Sequence, residues 1–190
     1  MKFADFPYTR PDLDKLKLEM AALTEQLKGA DSYDKARETF LKWEELGNHI
    51  STAATLASVR HSIDTRDPFY DGEEQFWNMA MPELQEYDQA WTLAMLQSPY
   101  REQFAREYGE LMFLNAEIAL KTFSPEIIPQ LQKENELTQA YEKLLASAQI
   151  PFEGKAYTLS QLTPLKTDAD DARRLAAWKA EGQWYKDNQA

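Results

Sequence analysis

Between Ser32 and Arg66 the chain carries no proline, and its apolar or small residues recur in alternating steps of three and four: Tyr33, Ala36, Phe40, Trp43, Gly47, Ile50, Ala54 and Ala57. That rhythm places one stripe along one side of a helix. Ser32 supplies an N-cap, and at 1.5 Å per residue the helix would be roughly 50 Å long. A rod of this length cannot bury its stripe against itself, so it demands other helices beside it. Gly47, Ala53, Ala54 and Ala57 leave room for a neighbouring backbone, which predicts that the middle of the helix is buried between helices.

Punctuation divides the rest in the same way. Thr9 or Arg10 with Pro11 opens a first helix through Leu13, Leu16, Met20, Leu23 and Leu27, which Gly29 ends. After the Asp67 to Gly72 loop, Phe76, Ala80, Leu84, Tyr87, Trp91 and Met95 mark a third helix. Pro82 lies inside it and predicts a bend or two separate helices. Ser98-Pro99 opens a fourth, with Phe104, Tyr108, Leu111, Asn115 and Ile118 on one side. The apolar run Leu111 to Leu114 predicts neighbours on more than one of its faces. Ser124-Pro125 caps a fifth, facing inward through Ile127, Leu131, Leu137, Tyr141, Leu144 and Leu145.

Ile150-Pro151-Phe152 and Ala156 to Leu159, about the turn Glu153-Gly154-Lys155, give the one clear strand signal. Thr167-Asp168 caps a last helix through Leu175, Trp178 and Tyr185. The fold class is therefore mainly α: elongated antiparallel helix hairpins or a bundle, with one small β-hairpin near residues 150–159. Two regions are expected, 1–149 helical and 150–190 comprising the hairpin and the start of the next helical segment.

With 43% hydrophobic residues over 190 positions, a real core is affordable. A net charge of -11 disfavours nucleic acid and anionic membranes as partners. The longest uncharged stretch, Leu46 to Val59, is too short and too polar to span a bilayer. Absence of cysteine excludes disulfides and thiolate metal sites and agrees with a reducing cytoplasm. Charges and Pro7 interrupt the first residues at once, so no secretion signal is expected.

Several strings carry a resemblance. They are the helical run Ala53 to Asp67, with Pro99-Tyr100-Arg101 and Tyr108-Gly109-Glu110 after it; the run Glu134 to Leu144 leading into the turn Phe152 to Leu159; and Asp170-Asp171-Ala172-Arg173-Arg174-Leu175-Ala176-Ala177. From Tyr33 to Asn188 the chain resembles the N-terminal helical region of the oligoendopeptidase F group of M3 zinc metallopeptidases. The resemblance implies a truncated part of a larger peptidase fold, a wall or lid over a channel that admits short peptides. It also implies Zn2+ in the parent enzyme, held by a catalytic half that would be this region's natural partner. Without that half, self-association through the uncovered surface is expected.

His-Glu-x-x-His, which would put two imidazoles on zinc and a general base beside them, does not occur. No catalytic residue, metal ligand or cofactor is therefore assigned to the chain. His49 and His61 stand twelve positions apart on one helix, roughly 18 Å, too far to share an ion. His61, with Asp64 three positions on, reads first as a histidine satisfied by a helix neighbour; a substrate-facing role makes it the one candidate binding residue. Glu134 is expected partly buried and paired. Trp43, Trp77, Trp91, Trp178 and Trp184 read as packing residues, and Glu44-Glu45, Glu73-Glu74 and Asp168 to Asp171 as solvated faces or helix N-terminal charges. A stand-alone helical module whose grooves bind a partner helix is the alternative function.

Overall fold

The structure, a computed structural model, describes residues 5–122 and 124–189; the first four residues of the stretch read for a leader lie outside them. Two compact units are formed, Met1–Glu136 and Leu137–Ala190. Among the described residues are eight α-helices and one two-stranded antiparallel sheet, and no helix is long and apolar enough to cross a membrane.

In the first unit, α1 (Leu13–Lys28), α2 (Tyr33–Ile63) and α3 (Pro68–Leu96) pack on one another. Asp12, rather than Thr9 or Arg10, caps α1, because its carboxylate accepts from the Lys15 N–H. Ser32 caps α2 through the Lys35 N–H. The stripe does bury Ala36, Phe40, Trp43, Ile50 and Ala57. Trp43 stacks on Trp91 of α3 with ring centroids 4.3 Å apart and planes within 2°. Offset aromatic pairs of this kind add about 1 kcal/mol beyond their area.

Pro82 does not divide α3, which runs unbroken to Leu96. Its missing N–H frees the Asn78 carbonyl, and α6 (Ile128–Ala146) supplies the replacement: the Asn135 amide donates to that oxygen at 2.9 Å. Gln132 donates to the next carbonyl, Met79, also at 2.9 Å. A partner from another helix thus keeps the proline from ending this one.

The expected fourth helix is two, α4 (Arg101–Tyr108) and α5 (Glu110–Thr122), separated by Gly109 at φ 96°. A left-handed residue cannot continue a right-handed helix, and glycine adopts it at least cost. Phe104 is fully buried against Phe40 and Tyr33, while α5 turns Phe113 inward and leaves Leu111, Leu114 and Ile118 about half exposed or more. On α6, Leu137 and Tyr141 are likewise exposed and Gln139 is buried, while Leu131, Leu144 and Leu145 of the expected stripe are half-buried. Ser124 precedes a short 3-10 turn, Pro125–Ile127, without a side-chain cap bond.

The second unit is built on the hairpin β1 (Ile150–Phe152) and β2 (Lys155–Tyr157), in the register Ile150 to Tyr157 and Phe152 to Lys155. Positive φ at Glu153 and Gly154, 49° and 77°, makes the tight turn whose twist matches the strands. A short α7 (Leu159–Leu162), closed by a Thr158–Gln161 capping box, and a 3-10 turn follow. Asp170, not Thr167-Asp168, caps α8 (Asp171–Asp187). The small core is Ile150, Phe152, Leu162 and Ala177, and Leu175, Trp178 and Tyr185 face away from it. Arg173 joins the turn to α8 by bonds to Glu153 at 2.8 and 2.9 Å and to Asp168 at 2.7 Å.

Glu73 corrects another expectation. It is buried, accepting from Tyr8 at 2.5 Å and from Arg10 at 2.7 to 3.1 Å. The Arg10 bonds hold its carboxyl below the usual glutamate range against the opposing effect of burial, while burial and Glu73 push Tyr8 up to about 12. A folded pKa below the unfolded one means that this stabilisation is complete above about pH 4.5 and is lost as pH falls through the folded value. Arg10→Ala should therefore cost about 1 to 2 kcal/mol at pH 7, the half-exposed guanidinium tempering the loss. Urea melts at pH 7 and pH 3 test this: the wild-type advantage over Arg10→Ala should shrink at the lower pH.

Candidate functional site

The first unit contains a groove of about 640 Å³ between α2, α3 and α6, touched by Met20 of α1. The stripe of α2 makes one wall, with Trp43, Ile50 and Leu46 as apolar side chains and Gly47, Ser51 and Ala54 as the low points between them. Met81, Pro82, Leu84 and Gln85 of α3 face them, and Leu131 and Asn135 of α6 contribute the remainder. Of the small residues of α2, Gly47 and Ala54 thus line a cavity, while Ala57 is fully buried in the core and Ala53 packs against it. A Cβ added at Gly47 would meet nothing within 4 Å.

Asp88 is the one charged residue on these walls. Its side chain is exposed to water, while the protein packed around it raises its carboxyl above the usual aspartate range. Helical spacing from Leu84 to Asp88 is the signal that places both on one side of α3. Reading only apolar positions along that helix passed Asp88 over.

The candidates named from the sequence do not meet in this groove. His61 is buried, yet its partner is Asp71 across the loop, with Nε2 3.3 Å from Oδ1, rather than the helix neighbour Asp64. Asp64 turns instead to Arg66, whose side chain lies 3.1 Å away. His49 and Glu45 are exposed, and so is Glu134, because the buried side of α6 is rotated away from the Leu131–Glu134–Leu137 line. Trp43, Trp77 and Trp91 are core residues; Trp184 is half-buried, while Trp178 is exposed, covering Lys166 at 4.6 Å.

Residues 3–123 match the Peptidase M3 N-terminal domain family. The chain belongs to that family. Solved structures agree over nearly its whole length. A protein described as an oligoendopeptidase F, determined by X-ray crystallography at 3.1 Å, superposes with a TM-score of 0.95 at 37% identity, covering 98% of this chain and 33% of the other. PZ peptidase A with an inhibitor gives 0.94 at 36% identity, covering 98% and 33%. An oligoendopeptidase F of Bacillus anthracis gives 0.95 at 36%, covering 99% and 35%. A search of curated protein sequences finds no match. This M3 N-terminal domain thus spans about a third of the length of the solved chains it matches.

The metallopeptidase resemblance read from the sequence raises the question of a metal, and the donors present do not fit one. Among the described residues no three His, Asp or Glu side chains gather to hold an ion. His61 Nε2 faces Asp71 at 3.3 Å without a hydrogen bond and with no second imidazole beside it, and His49 is exposed. No chemical step is assigned to zinc on this chain. The open space at Gly47 carries a separate expectation: Gly47→Ala should raise stability by about 0.5 to 1 kcal/mol, because alanine lowers the entropy of the unfolded chain without a clash. Chemical denaturation measures it, and a loss of stability would mean the groove wall closes on the added methyl.

Proposed function

We propose that this region is the channel wall or lid of a zinc-dependent oligoendopeptidase that hydrolyses short peptides, and that it contributes enclosure and substrate contact rather than catalytic residues. The observation that carries the reading is the superposition of 98% of this chain on one third of an oligoendopeptidase F at a TM-score of 0.95. Exposed apolar side chains support it. Leu111, Leu114 and Ile118 recur at helical spacing on α5, and Leu175, Trp178 and Tyr185 lie open on α8. Groups of this size gain from being covered by further protein, here the catalytic portion. A cysteine-free chain suits the cytoplasm.

On this reading the 190-residue chain alone does not cleave a quenched fluorescent oligopeptide, and it binds the separately produced catalytic portion that follows this region in the peptidase. Trp178→Ala with Tyr185→Ala should weaken that association at least tenfold, and thermal melting should show that the variant stays folded despite the lost contacts of Trp178 with Lys166 and of Tyr185 with Trp184. Calorimetric titration of the two parts tests the association, and the peptide assay tests its consequence. A folded catalytic portion that neither binds this chain nor changes its cleavage of short peptides in its presence would favour the helix-binding module instead.

A further inference from the structure

The groove of the first unit pairs apolar walls with a carboxylate that has no counterion. Among the described residues nothing donates to Asp88 or forms an ion pair with it, and its carboxylate stands open to solvent on the groove wall. Lys17, on the neighbouring α1, is already held by Glu83 at 2.5 Å. A volume of about 640 Å³ lies within the range of pockets that bind small ligands.

The walls are helices, whose backbone groups are already bonded, so an extended peptide cannot add here as a strand. Recognition falls to side chains: the hydroxyls of Ser51 and Thr55 and the amide of Gln85 line the same space as Asp88. A cation is the complement of this arrangement. A carboxylate would be repelled by Asp88 and by a chain of net charge -11.

Resting on the reading of this region as the wall of a peptide channel, we propose that the groove seats the amino-terminal end of a short peptide, with its ammonium group on the Asp88 carboxylate and its first apolar side chains against Trp43, Ile50 and Leu84. The charge-assisted bond takes the place of water on the exposed carboxylate at the groove wall. The apolar side chains take the space that Gly47 and Ala54 leave open.

Trp43 lines the groove and stacks on Trp91, so tryptophan fluorescence reports its occupancy. The 190-residue chain is titrated at pH 7 with trileucine amide and with N-acetyl trileucine amide, each against wild type and Asp88→Asn. Wild type should bind the free amine about tenfold more tightly than the acetylated peptide, as expected for one hydrogen bond between charged groups. In Asp88→Asn the ratio should fall below about twofold, with thermal melting showing that the fold is intact. Ala54→Phe should abolish binding of both peptides by filling the groove. Absence of saturable binding to wild type at millimolar peptide, an affinity indifferent to acetylation, or the same ratio in Asp88→Asn would each overturn the proposal. Association with the catalytic portion is a separate measurement, so loss of the peptide seat leaves the wall reading standing, and failure of association identifies that reading as the one at fault.

Discussion

The stacked indoles of Trp43 and Trp91 set how the first unit is assembled. They bring α2 and α3 side by side at a fixed separation, and because both helices are long, one contact of this rigidity governs the spacing along each. Met20, Leu23 and Leu27 of α1 complete the same core, and Phe40 with Phe104 extends it to α4. Large flat side chains at the crossing, with small ones at Gly47 and Ala54 next to it, are what leave a groove there.

The buried threonines Thr24 and Thr39 bond back within their own helices, but other polar groups inside the fold meet their partners across elements. The Asn78 carbonyl freed by Pro82 is taken by Asn135, and Glu73 is shared by Tyr8 and Arg10 from the segment preceding α1. Each arrangement ties a remote stretch of chain to α3. An unbonded carbonyl or an unpaired carboxylate in the same place would cost more than most single contacts contribute, so these bonds specify which segments lie together. The second unit works similarly on a smaller scale, where Arg173 links the hairpin turn to α8 and Lys166 pairs with Glu181 beneath Trp178.

Function follows from what this framework leaves open. On the proposed reading the chemistry of peptide cleavage belongs to the catalytic portion, and this region contributes shape and charge. A rigid wall with one unpaired carboxylate can orient a peptide without reacting with it. Such orientation lowers a barrier by presenting the substrate in a reactive pose, which is a contribution made by groups remote from the bond that breaks.

Helix positions, most turns and the hairpin were legible in the sequence because they depend on residues close together in the chain. Alternating steps of three and four drew α2, and Glu153-Gly154 drew the turn through its positive φ. Gly109 was in plain view, yet its effect was missed because apolar spacing continues across it while the backbone does not. What the tertiary structure alone decided was which face of a helix is covered and which polar group finds a partner. Pro82 leaves its helix whole only because Asn135 and Gln132 arrive from α6, His61 answers Asp71 rather than Asp64, and Glu73 is buried because Arg10 reaches it. Local periodicity says that a stripe must be buried. It carries no information about how far apart the neighbours stand, and that distance is what left Gly47 and Ala54 on a groove with Asp88 on its wall while Ala36 and Ala57 are packed in the core.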